Sequence, residues 1–381
     1  MEKVKKTNVK NAKVFLPGEP SKKDILIEDG IIAIIRDEVR QGIFSGVYEL
    51  DAEDLFVVPA FTDSGCFALG SKQTGKELPK LQVREFKRFG FFSFVTTLNI
   101  LDANSRLFDQ KEYAKSFDKE GISVRFLTGG LKDKAYHISE NIYKDVCEDK
   151  LCAGAAVLHN DSFGGIDSRR LLKLCTQVEA AAYDTKSAGV VMLLLGDLAL
   201  NFDMFMEIAG DGSGREKTVI AWFANRGKAL LDSGIEYLRQ NGRISLVAGA
   251  DREKMSEDFI PLSEALIDIY REIRSLDGVL VSSFSGGYLP KRDENTLDQR
   301  GEIANLYSEM RIALEKGLPF EEAIKVLAYN PIKIFDLEER KIEVGNFASF
   351  LVVDKHLNIK YIVEGESVIN PDSFKNPVLF L

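Results

Sequence analysis

Hydrophobic and polar positions along the chain fall into three stretches of different rhythm. In the first, short β-prone runs at residues 14–16, 25–27 and 31–35 surround Asp29-Gly30. That pair suits the left-handed backbone of a two-residue hairpin turn. In the second, eight short apolar runs recur at residues 55–61, 91–98, 122–127, 153–158, 189–195, 218–223, 243–247 and 278–282. Segments of helical spacing separate them; residues 79–88 and 231–240 are the clearest, the latter stopped by Asn241-Gly242. Apolar strands buried on both faces and alternating with helices predict a parallel (β/α)8 barrel. The third stretch has helical patterns at 302–316 and 319–328, then returns to strands at 350–353, 359–363 and 364–369. Both ends of the chain are thus strand-forming. The expected layout is an α/β protein with a (β/α)8 TIM barrel at residues 56–334 and a small β-sandwich domain made from residues 1–55 and 335–381.

Composition narrows the partners more than the fold. At 381 residues, 45% hydrophobic and 29% charged, the chain has the make-up of a globular protein with ample core. A formal charge of -9 with no basic block argues against a nucleic-acid or anionic-membrane surface. No run approaches the roughly 18 apolar residues of a membrane span. Lys3, Lys5 and Lys6 precede no apolar core of a signal peptide. The four cysteines, Cys66, Cys147, Cys152 and Cys175, make no C-x-x-C and are expected to be reduced, as in a cytoplasmic protein.

The chemistry is concentrated in the segment Val57-Val58-Pro59-Ala60-Phe61-Thr62-Asp63-Ser64-Gly65-Cys66-Phe67. It resembles the first barrel strand of the amidohydrolase superfamily, in which an apolar run leads into P-G-F-x-D and then His-x-His. Further matches are Glu120-Gly121-Ile122-Ser123, Leu127-Thr128-Gly129, Lys144-Asp145-Val146, Gly196-Asp197, Asn225-Arg226 and Ser282-Ser283. Near the end, Gly345-Asn346-Phe347-Ala348-Ser349-Phe350-Leu351-Val352-Val353 is similar to the G-x-x-A-D-L-L-V signature of the small domain. Taken in order, these segments make the chain resemble the bacterial isoaspartyl dipeptidases over nearly its full length.

The resemblance implies hydrolysis of β-aspartyl dipeptides at a two-zinc centre, where the metals polarise the scissile carbonyl and supply a hydroxide. It implies His-x-His after strand one, a carbamylated lysine on strand four, and histidines ending strands five and six. An aspartate ending strand eight serves as ligand and proton acceptor. In this chain those positions map to Gly65, Phe67, Ala155, Leu194, Phe223 and Phe284, none of which can ligate a metal. A count makes the same point without any alignment. Such a centre needs four histidines, and the chain has three, His137, His159 and His356, none spaced as H-x-H or H-x-x-x-H.

The implied substrate contacts are also altered. The family's Gly-Glu maps near Gln73, its pocket tyrosine to Leu131, its arginine after strand four to Ser162, and its serine beyond strand eight to Tyr288. The arginine after strand six is kept as Arg226, which could clamp a carboxylate or serve a structural role. His159, with Asp161 two residues on, ends strand four and could reach the pocket or sit in the core. Cys66 lies between the two lost ligand positions, so alternation turns it away from them. Asp63, Asp161, Asp197 and Asp251 lie near strand ends, where they could form a carboxylate site or cap the following helices. The glycines of residues 210–214 lack the G-K-S/T ending of a phosphate loop.

The sequence therefore predicts a non-catalytic relative of these enzymes, without metal or other cofactor, acting as a homo-oligomeric structural or regulatory protein. The alternative is an altered hydrolase, or a binder of a small carboxylate or dipeptide, using Arg226, His159, Asp161, Gln73 and Tyr288. Filling of the barrel mouth by rings favours the first, and an open polar pocket the second.

Overall fold

The computed structural model describes residues 6–15, 21–38, 47–68, 72–73, 76–77, 81–97, 107–129, 141–159, 165–196, 199, 202–249, 255, 257–287 and 301–374, with backbone alone at 72–73, 76–77, 107–110 and 374. Five strands open the chain: β1 (Lys6–Val14), β2 (Ser21–Glu28), β3 (Ile31–Arg36), β4 (Val47–Asp51) and β5 (Phe56–Pro59). Eight more alternate with helices: β6 (Phe61–Cys66), α1 (Val83–Arg88), β7 (Phe91–Thr97), α2 (Leu107–Ser116), β8 (Ser123–Thr128), α3 (Ile142–Glu148), β9 (Cys152–His159) and α4 (Ser168–Thr185). The series continues with β10 (Val190–Leu195), α5 (Asp203–Gly210), β11 (Val219–Trp222), α6 (Lys228–Arg239), β12 (Arg243–Val247), α7 (Leu262–Ile273), β13 (Val279–Ser282) and α8 (Ile303–Glu315). Three strands close the chain: β14 (Ser349–Val353), β15 (Ile359–Glu364) and β16 (Ser367–Ile369).

Strands β6 to β13 pair in chain order as one sheet. Every register among β7 to β13 is parallel. The sheet closes where Phe284 N donates to Gly65 O at 3.1 Å and Phe67 N to Ser285 O at 2.8 Å. One helix follows each strand, so this is the expected (β/α)8 barrel. Its strands are buried along nearly their whole length, which is why they read as continuous apolar runs rather than as alternation. Asn241, in left-handed backbone at φ 63, ends the α6 segment as the sequence suggests.

The remaining strands form a separate sheet from both termini, in the order β16-β15-β14-β5-β1-β2-β3, with β4 also pairing β1. Ile25, Ile27 and Ile32 from one end of that order share a core with Phe350, Val352 and Val363 from the other. The sheet thus folds over on itself. Asp29 and Gly30, both at positive φ (49 and 80), make the hairpin turn between β2 and β3. The apolar run at 55–61 divides: Phe56–Pro59 joins the terminal sheet, while the first barrel strand begins at Phe61. The chain separates into two compact units, residues 1–61, 84–92 and 337–381 in one, and 62–83 and 93–336 in the other.

Candidate functional site

Enzymes built on this barrel carry their chemistry at the C-terminal ends of the strands. Here aromatic rings fill that end. Phe67 stacks on Trp222, with centroids 5.8 Å apart and planes at 20°, and meets Phe284 edge-on at 5.0 Å. Trp222 and Phe284 lie 5.3 Å apart, Phe223 is 5.7 Å from Phe284, and Phe259 is 6.1 Å from Phe223. All five side chains are buried, Trp222 completely. Spacings and tilts of this kind are the favourable ones for aromatic pairs. Phe223 and Phe284 hold left-handed backbone, φ 74 and 57, which bulky residues seldom adopt. Such strain costs on the order of 1–3 kcal/mol per residue and gathers at functional sites. Here the side chains at both positions are phenyl rings without a polar atom.

Register decides which expected positions share the interior. Leu194 pairs with Trp222 on one side and with Leu158 on the other, so all three lie on the inner face. On β9 that face is carried by Ala156 and Leu158. Ala155, the expected lysine position, lies on the outer face. The cause is a one-residue irregularity, since Phe126 pairs with Cys152 but Leu127 with Gly154. Pattern reading also passes over Trp222, which ends β11 and forms the middle of the ring cluster.

Below the rings runs a polar seam between β6 and the end of β13. Asp63 accepts hydrogen bonds from Ser283 N at 2.9 Å, from Gly65 N at 3.2 Å and from the Ser283 hydroxyl. The Ser283 and Ser285 hydroxyls are 2.6 Å apart, and Ser285 N donates to Ser283 Oγ at 2.9 Å. Full burial pushes the Asp63 carboxyl up to about 7, against the pull of its three donors. Cys66 is buried, and burial followed by the Asp63 charge raises its thiol well above the usual range, which fits an inert side chain.

The other polar candidates point elsewhere. His159 is buried at the end of β9 with its ring edge-on to Phe205 of α5, centroids 6.2 Å apart. Burial lowers its pKa despite a hydrogen bond with the backbone of Ile166, so the ring is neutral. Arg226 donates to Leu195 O at 3.1 Å and lays its guanidinium 5.5 Å from the centroid of Phe223. The neighbouring Asn225 side chain donates to Val247 O and Ile260 O and accepts from Val247 N, tying the end of β11 to β12 and the segment before α7. Asp161, Asp197, Asp251, Leu131, His137, Ser162 and Tyr288 lie outside the described residues, and Gln73 is described by backbone alone.

A two-zinc centre does not fit these residues. The side chains of Gly65, Phe67, Leu194, Phe223, Phe284 and the inner-face Ala156 offer no lone pair to a metal. Among the described residues, no three His, Cys, Asp or Glu side chains gather as a metal group. Nor is any helix of the described residues long and apolar enough to cross a membrane.

Comparison with solved structures gives the class of fold. The chain superposes on a β-aspartyl dipeptidase from Fervidobacterium islandicum AW-1, in complex with β-Asp-Leu dipeptide, with a TM-score of 0.86 and 22% identity over 100% of both chains. A second structure of β-aspartyl dipeptidase from that organism gives 0.84 and 21%, over 99% of this chain and 100% of the other. Molinate hydrolase is more distant, with a TM-score of 0.63 and 13% identity over 100% of this chain and 97% of its own. The fold is therefore that of amidohydrolase-type enzymes. No family model matches the chain, and no curated protein does.

Proposed function

We propose that this chain is a non-catalytic, isoaspartyl-dipeptidase-like protein, an amidohydrolase-type barrel kept for its shape and surface rather than for turnover. The observation that carries the proposal is the ring cluster Phe67, Trp222, Phe223 and Phe284, buried at the strand ends where the resemblance calls for ligands. Amide hydrolysis needs an activated nucleophile and a cation or donor set facing the developing oxyanion. Closely packed rings provide neither. Their burial instead stabilises the barrel, by about 2–3 kcal/mol for each phenylalanine removed from water. The alternative of a carboxylate binder draws no support from Arg226, whose guanidinium is engaged by Leu195 O and the Phe223 ring.

The test is release of leucine from β-Asp-Leu by full-length protein purified with zinc, together with its zinc content. The expected result is turnover equal to buffer and well under one equivalent of zinc. Zinc-dependent turnover that disappears in His159→Ala would return the chain to the enzymes.

A further inference from the structure

We infer that Trp222 is the residue that closes this barrel mouth, by occupying the volume that any side chain at position 65 would need. A Cβ built on Gly65 lies 2.7 Å from Trp222 Cζ2, 2.8 Å from its Cε2 and 2.9 Å from Ser282 Oγ. Carbon atoms do not pack that closely, so one partner must move. The indole can move only by giving up its packing. It is fully buried, stacked on Phe67 and tilted against Phe284. Its Nε1 donates to Ser282 Oγ at 3.3 Å. Ser282 Oγ in turn donates to Gly65 O at 2.5 Å and accepts from Phe284 N at 3.2 Å. Gly65 and Trp222 are thus coupled through both a steric contact and one shared hydroxyl.

The coupling explains why position 65 is glycine rather than another small residue. Gly65 is not in left-handed backbone, so glycine is required there for space and not for conformation. It also means that the mouth is occupied, not merely stripped of ligands. Returning a histidine to position 65 would meet the indole before it met a metal. This inference rests on packing alone. It could fail while the chain remained without activity, and it could hold in a chain found to be active.

A double-mutant cycle in the full chain tests it, with denaturant unfolding followed by circular dichroism in every variant and fluorescence in those that keep Trp222. Trp222 is the sole tryptophan, so emission reports on the ring cluster directly. Gly65→Ala is expected to lower the folded-to-unfolded ratio by at least about tenfold and to shift Trp222 emission to the red as the indole is displaced. In the Trp222→Leu background the same alanine is expected to cost less than about threefold. If Trp222→Leu does not fold, Trp222→Phe serves, since it removes Cζ2, the indole atom nearest the position 65 Cβ. An equal loss in both backgrounds overturns the inference, as does a Gly65→Ala protein with parental stability and emission.

Discussion

Asp63 and Gly65 on the inner face of β6, and Phe67 directly after it, are alternate residues of one segment, yet they are buried by opposite means. At the mouth, Gly65 and Phe67 bring no polar side-chain atom, and the space is taken by Trp222, Phe284 and Phe223. Lower on the strand, Asp63 is just as buried but keeps its carboxyl, answered by two donors of Ser283 across the closing seam and by Gly65 N on its own strand. An apolar replacement needs only volume and fitting shape. A buried polar group needs every partner in place, and it becomes costly the moment one is lost. The seam therefore depends on its partners to close the barrel, whereas the rings depend on packing.

The packing side of this comparison carries the largest expected effect. Phe284 touches Phe67, Trp222 and Phe223, so Phe284→Ala should open a cavity and cost about 3–5 kcal/mol in reversible denaturant unfolding. Reinstating polar types, Phe223→His with Phe284→Asp, should also destabilise, because neither group would find a partner among the rings. A shift below about 1 kcal/mol for Phe284→Ala would mean the rings already face water, and the mouth would have to be treated as a vacated pocket.

The seam comes next. Asp63→Ala would leave Ser283 N and Gly65 N without their acceptor and the Ser283 hydroxyl with Ser285 Oγ alone, a loss of about 2–4 kcal/mol. The pH dependence sharpens the point. Asp63 has a folded pKa of about 7 against an ordinary 3.8, so the folded state holds a proton that the unfolded state gives up. Its contribution is complete below pH 3.8, declines as pH rises, and is gone above about 7. Asp63→Asn, which keeps the shape and cannot titrate, should flatten that decline. A parent and variant whose stabilities fall in parallel between pH 4 and pH 7 would show that Asp63 is ionised throughout.

The difference between packing and partnership also explains what could be read from the sequence. Eight apolar runs and the Asp29-Gly30 turn announce the barrel and the terminal hairpin, because strand burial and turn conformation leave local marks. The run at 55–61 does not show where one sheet gives way to the other, since both strands are apolar and only pairing separates them. Ala155 falls on the outer face for a related reason. The irregularity before Gly154 reverses the alternation, and its one local mark is Gly154 itself, at φ 146 with no room for a Cβ beside Val190 O. That Gly65 and Phe67 carry no metal-ligating side-chain atom is legible from residue type alone. What packs beside them is not, because Trp222 reaches Gly65 across the barrel from a strand far away in the chain.

The smallest expected effect concerns His159, which separates a core residue from a residue of a working site. The ring is buried against Phe205, and burial lowers its pKa below the ordinary 6.5. Above pH 6.5 both folded and unfolded states hold it neutral. Below that value the unfolded chain takes up a proton that the folded chain resists, so stability falls as the solution is acidified, by at most about 1.4 kcal/mol per pH unit. His159→Leu should be within about 1 kcal/mol of the parent near pH 7.5, losing the Ile166 hydrogen bond but keeping apolar volume. Near pH 5 the variant should gain on the parent. Asp63 titrates in both proteins over this range, so the difference between them isolates His159. A variant that loses more than about 2 kcal/mol at pH 7.5, and gains nothing on acidification, would show that the imidazole is held for its polarity. In that event the polar side of the comparison would extend from the seam to the end of β9.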